Sequence, residues 1–139
     1  MITDRILALD HGEKRIGLAI SDPLGMTAQA IPFLPNNSVF FDALKAVIAK
    51  YNVQRLIVGL PLALKGHDTA KTTEVRAFVE ILKEVVGLEV IFRDERFSTT
   101  AVTRHLIEAG VSREKRKHVI DSQSAAFVLQ GYLDQKGSL

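Results

Sequence analysis

Residues 55–61, RLIVGLP, constrain the fold of this chain more than any other stretch. A continuous run of branched apolar side chains broken by Gly59 and Pro61 is the pattern of a strand covered on both faces. Such a strand requires a layered fold, and the neighbouring runs supply the layers. RILALD (5–10) and RIGLAIS (15–21) read as two strands joined by a tight turn at HGEK. AQAIPFL (28–34) is a third, and Pro32, which cannot donate to a ladder, predicts that it lies at an edge.

From Asn37 or Ser38, either one a fair N-cap, the period changes, and Phe41, Leu44, Val47 and Ile48 fall on one helical face. A second helix over about 70–86 carries Val75, Phe78, Val79, Leu82 and Val86 as its stripe. LEVIFRD (88–94) reads as a fifth strand, and helical stretches follow near 99–109 and 121–135. A three-strand meander followed by alternating helix and strand predicts an α/β fold, a mixed five-stranded sheet with helices on both faces. That order is also the order of the ribonuclease-H-like fold. No repeat, low-complexity tract or linker interrupts the chain, so residues 1–139 are expected to form one domain.

With 47% hydrophobic residues, a chain of 139 can bury a full core without staples. It has no cysteine, which removes disulfides and thiolate metal sites together. The N-terminal MITDRILALD has acidic residues and no long apolar core, so a cytoplasmic protein without a membrane partner is the expectation. A formal net charge of +2 is too small for binding polyanions by charge alone. The distribution says more: VSREKRKH (111–118) concentrates Arg113, Lys115, Arg116, Lys117 and His118 around a single acid, Glu114. Such a run is either a solvated face or a phosphate-binding one.

Acidic positions fall at the ends of predicted elements. Asp10 closes the first strand, Asp94 and Glu95 follow the fifth, and Asp121 opens the last predicted helix. Each has a plain alternative: a turn residue at Asp10, a pairing of Asp94 or Glu95 with Arg93 or Arg96, a helix cap at Asp121. Taken together they point elsewhere, because strand ends on one rim of a parallel sheet converge where ligands bind. Clustered carboxylates repel unless a cation neutralises them, and oxygen donors without Cys or His-rich spacing favour Mg²⁺ or Mn²⁺. Two such ions about 4 Å apart activate a water and stabilise the departing oxygen of a phosphodiester. The basic run before Asp121 would hold phosphates beside them. The GLP loop with Lys65, Gly66 and His67 is either a binding loop or an ordinary connection, and His11 either contacts phosphate or is merely exposed.

These residues carry a resemblance. Asp10 with Gly12, Lys14, Arg15 and Ile16-Gly17, then Ser21-Asp22-Pro23, VGLPL with Gly66, DERFSTT, and Asp121 with Ser124-Ala125-Ala126 and a Leu-Gln-x-Tyr-Leu ending together resemble the YqgF family. Its members are small bacterial proteins similar to Holliday junction resolvases and described as candidate pre-16S rRNA nucleases. The resemblance implies a ribonuclease-H-like nuclease with Asp10, Glu95 and Asp121 as its catalytic, metal-binding acids and two Mg²⁺ or Mn²⁺ ions as cofactors. Lys14, Arg96, Arg113, Lys115, Arg116 and Lys117 are then expected to bind nucleic acid. The implied substrate is structured RNA, pre-rRNA, met free or in ribosomal particles by a monomer or homodimer. Branched DNA is the alternative substrate, and a non-catalytic RNA-binding assembly factor the alternative class. Ala63 and Lys65 stand where members often carry Asn and Asp, which implies a loop that meets its ligand differently. In the related resolvases the second acid follows the fourth strand, whereas Glu95 follows the predicted fifth, so it must reach inward along its loop.

Overall fold

A computed structural model describes residues 4–96 and 100–137, with the side chains of 100–102, 121, 136 and 137 left outside the description. The strands are β1 (Arg5–His11), β2 (Arg15–Ser21), β3 (Ala28–Pro35), β4 (Val53–Leu60) and β5 (Glu89–Asp94). The helices are α1 (Phe40–Tyr51), α2 (Ala70–Val86), α3 (Thr100–Glu108) and α4 (Arg113–Gly137). The sheet runs β3-β2-β1-β4-β5, with the β1–β2 and β2–β3 pairs antiparallel and β1, β4 and β5 parallel. This is the expected mixed α/β sheet.

Side-chain alternation divides the core in two. Leu7 and Leu9 of β1 join Val58, Leu44 of α1 and Val75, Val79 and Leu82 of α2 on one face. Ile6 and Ala8 join Ala19, Ile57 and the α4 residues Ala125, Val128, Leu129 and Leu133 on the other. Alanines on both sides of this second layer set α4 close to the sheet. The RLIVGLP run is covered on both faces, as its composition required. Pro32 lies on β3, an edge strand, as expected. Helix α2 matches its predicted span, opens with a capping box between Thr69 and Thr72 and closes at a left-handed Gly87. Among the described residues no helix is long and apolar enough to cross a membrane.

Two helix starts differ. Helix α1 is preceded by Val39, which offers no side-chain cap, in place of Asn37 or Ser38. The last helix starts at Arg113, so Asp121 lies inside it and does not open it. The start is set by Ser112, whose Oγ accepts the Lys115 N–H, while its carbonyl accepts the Arg116 N–H. Apolar periodicity gives no sign of this segment, because Arg113, Lys115, Lys117 and His118 are exposed and bury no stripe. The helix-cap reading of Asp121 is thereby removed.

Candidate active site

The parallel strands β1, β4 and β5 end on the same rim, and Asp10, Gly59 and Glu95 meet there. Residues alternate along β1, so Asp10 shares the α4-facing side with Ile6 and Ala8. Glu95 directly follows β5, where its N–H donates to the Leu60 carbonyl at 3.1 Å. Its side chain must cross β4 to reach β1, and Gly59 makes the crossing possible. A Cβ built on Gly59 would stand 2.1 Å from Glu95 Oε1, 2.7 Å from Cδ and 2.8 Å from Cγ. The missing side chain of Gly59 is thus the space that Glu95 occupies. The inward reach anticipated for Glu95 is made across a glycine.

The two carboxyls share a hydrogen bond, and Glu95 Oε1 is buried without a partner among the described residues. Burial raises the Glu95 carboxyl from 4.5 to about 8, and the facing Asp10 acts in the same sense. Without a cation, burial and the facing Asp10 thus favour the protonated form of Glu95. Lys71, in the first turn of α2, partly opposes the shift. It also helps burial to lower His11, whose ring packs on Phe78 at 4.6 Å with its Nδ1 lacking a partner among the described residues. His11 thus sits on the α2 side of β1, away from the face that carries Asp10.

Asp94, the neighbour that might have taken the place of Glu95, is otherwise engaged. Arg96 donates to it from its backbone N–H at 2.9 Å and from Nε at 2.8 Å, and holds the Asp94 carboxyl below its usual range. The same guanidinium donates from Nη1 to the Leu64 carbonyl at 3.1 Å and lies over Gly66, whose φ of 92° favours glycine. Arg96 therefore ties the β4–α2 loop to the end of β5. Lys14 is exposed in the β1–β2 turn, where its carbonyl accepts the Asn36 N–H.

An open groove of about 550 Å³ leads to Asp10. Gly17 and Ala125 form its floor, Arg15, Pro32 and Phe33 one wall, and His118 and Ser122 of α4 the other. Position 121 belongs to the same helical strip as 118, 122 and 125, while the Asp121 side chain lies outside the described residues. Among the described residues no group of three or more His, Asp or Glu gathers as a metal cluster; the acids that meet are Asp10 and Glu95. Of the basic run, Lys115 continues the strip of His118. Arg113 and Lys117 are exposed on the side away from it, and Arg116 is committed to the Val111 carbonyl at 2.9 Å.

Three participants were not assigned roles from the sequence: Gly59, Lys71 and Arg15. Gly59 could have been suspected as the one residue without a side chain inside a buried apolar strand. Lys71 follows the loop already suspected of binding. Arg15 closes the charged turn after Asp10, where charge alone does not show which side of the strand it serves.

Comparison with known proteins bears on the family and the fold. A family model described as RuvX, Holliday junction resolvase, matches residues 4–135. A Moorella thermoacetica protein named as a candidate pre-16S rRNA nuclease is 46% identical over 135 residues, covering 96% of each chain. A Bacillus cytotoxicus protein with the same name is 45% identical over 136 residues, covering 95% of this chain and 99% of its own. Among solved structures, Thermus thermophilus RuvC matches with a TM-score of 0.58 at 11% identity, covering 96% of both chains. RuvC from T. thermophilus in complex with a Holliday junction substrate matches at 0.56 and 13%, covering 97% of both. At these identities the structural likeness speaks for the fold alone.

Proposed function

The chain belongs to the RuvX family of Holliday junction resolvases, and from that premise we propose that it is a metal-dependent nuclease hydrolysing phosphodiester bonds of structured RNA, acting in the 5′-end maturation of pre-16S rRNA. The RNA substrate rests on the names of its relatives, which describe candidate pre-16S rRNA nucleases. The single observation that carries the chemistry is the pairing of two carboxyls at the ends of parallel strands, Asp10 lining an open groove and Glu95 buried behind it.

The residues present fit a hard divalent cation. The donors are carboxylate oxygens, one of them is buried without a partner among the described residues, and two like charges in contact call for a positive one. Asp10 and Glu95 would hold Mg²⁺ or Mn²⁺, and Asp121, on the α4 strip facing the groove, is the third proposed ligand. When bound, a pair of such ions supplies an activated water and charge stabilisation at the departing oxygen. The chain itself orients and screens. Gly59 lets Glu95 lie against Asp10, and Lys71 adds positive charge beside both Glu95 and His11. Arg15 in the groove and Lys115, on the α4 strip of His118, attract the phosphates.

The test is purified protein with pre-rRNA and, as the contrasting substrate, a four-way DNA junction, each with Mg²⁺, Mn²⁺ or chelator. Cleavage of RNA that depends on metal is the expected result. Selective cutting of the junction transfers the reading to resolution, which requires two symmetric cuts and so a dimer. Asp10→Asn should abolish cleavage while RNA affinity in chelator stays near that of wild type, since phosphate contacts lie elsewhere. Full activity in that variant removes Asp10 from the mechanism.

The exposed cations make a separate prediction. Replacing Arg113, Lys115 and Lys117 together with Ala should weaken binding to RNA of any sequence. It should also flatten the log–log salt dependence by roughly 0.7–0.9 for each charge that meets a phosphate. An unchanged slope in a salt titration identifies the run as a solvated face.

A further inference from the structure

The wall of the groove opposite α4 is built for something other than a phosphate. Between the pairs Ile16–Leu34 and Leu18–Ile31, β3 carries an extra residue, so Pro32 and Phe33 form a bulge across from Gly17. Bulges re-aim side chains, and this one leaves the Phe33 ring 52% exposed on an edge strand. The Arg15 guanidinium lies over that ring, 5.1 Å from its centroid. Arg15, Pro32 and Phe33 line the same groove as Asp10. A single exposed phenylalanine needs no explanation, but one presented by a bulge, layered with a cation and lining the same groove as Asp10 is a stacking platform.

We propose that Arg15, Pro32 and Phe33 form a subsite that stacks one unpaired nucleobase of the RNA strand whose phosphate reaches Asp10 and Glu95. The inference rests on the nuclease reading of this groove and deepens it: the subsite selects an unpaired nucleotide beside the cut. A base has a π-face whatever its identity, so an aromatic ring and a guanidinium plane accept it without regard to sequence. In a continuous duplex that face is already covered by neighbouring base pairs, and using the subsite requires unstacking them. The adjoining positive charge of Arg15 suits the phosphate of the same nucleotide. The groove, about 550 Å³, has room for a nucleotide.

Binding in chelator to single-stranded RNA carrying 2-aminopurine, and to the same strand in a perfect duplex, tests the subsite without cleavage. Phe33→Leu keeps an apolar side chain and removes the π-face, while Phe33→Trp restores one. Wild type and Phe33→Trp are expected to quench the 2-aminopurine. Phe33→Leu should lose the quench and bind the single strand about 5- to 100-fold more weakly, with duplex affinity unchanged. Equal quenching and affinity in Phe33→Leu overturn the subsite. With metal, Phe33→Leu should raise KM more than it lowers kcat. If wild type stacks RNA through Phe33 yet never cleaves it, the nuclease reading fails and the subsite stands. Cleavage by Phe33→Leu at wild-type KM has the opposite meaning.

Discussion

Glu95→Gln is expected to lose metal-dependent cleavage and, in chelator, to melt at a temperature that no longer falls as pH rises from about 5 to 8. In wild type the folded Glu95 carboxyl sits at about 8 and the ordinary value is 4.5. Between those values the folded protein holds a proton that the unfolded chain has released, so stability decreases as pH rises through the window. Below about 4.5 both states hold the proton and the penalty vanishes; above about 8 it is fully present. At ~1.4 kcal/mol per unit, the window amounts to a few kcal/mol. The Gln amide donates to Asp10 as the protonated acid does and has no proton to lose. Subtracting the two melting profiles isolates the Asp10–Glu95 pair from the other titrating groups. Mg²⁺ or Mn²⁺ should then raise the melting temperature of wild type at pH 8, where binding displaces the proton, and leave Glu95→Gln nearly unmoved. Parallel profiles in chelator would show that Glu95 is not held as a strained acid.

Gly59→Ala should have a comparable effect on cleavage although it alters no charged group. The new Cβ falls on three consecutive side-chain atoms of Glu95, which moves outward as a whole. Displacements of about 1 Å at catalytic groups cost on the order of 100-fold, and a larger loss is expected here because the carboxyl leaves Asp10 altogether. Stability should not suffer in proportion. Alanine restricts the unfolded chain, a gain of about 0.4–1 kcal/mol where the backbone tolerates it, and expulsion of Glu95 ends the enforced carboxyl contact. The pH dependence of melting should therefore flatten toward that of Glu95→Gln. In the double variant Gly59→Ala/Glu95→Gln, cleavage should fall no further than in Glu95→Gln alone. Wild-type turnover in Gly59→Ala would mean that Glu95 acts from outside the β4 crossing and that Gly59 has no positioning role.

Much of this was legible along the chain. RLIVGLP implied a strand covered on both faces, Pro32 an edge strand, and the switch of period after residue 37 the alternation of helix and strand; all three hold. These features are local, because strand and helix periodicities repeat over a few residues and register which side of an element meets apolar partners. The acids at strand ends were legible for the same reason, since an apolar run that ends in Asp10 marks where the core meets water. The start of α4 was not, because exposed Arg113, Lys115 and Lys117 bury no stripe and the capping role of Ser112 is a single hydrogen bond.

The choice between Asp94 and Glu95 shows where local reading ends. Asp94 ends β5 and Glu95 follows it, and both lie beside arginines. Residue pattern and resemblance named Asp10, Glu95 and Asp121 as one set, and chain order alone placed β1, β4 and β5 as candidates for a shared rim. Which carboxyl is spent on Arg96 and which crosses to Asp10 depends on the spatial order β1-β4-β5 and on the gap that Gly59 leaves in the middle strand. The same holds for Arg15 and Phe33, which meet only because a bulge in β3 brings the ring to the neighbouring strand. The sequence by itself determined the elements, their layering and the kinds of side chain available at the rim, because burial and periodicity act between near neighbours. Tertiary structure alone decided which charges are paired and which remain for chemistry, because electrostatic partners are chosen by distance in space, and that distance follows from strand order and the side chains left out between them.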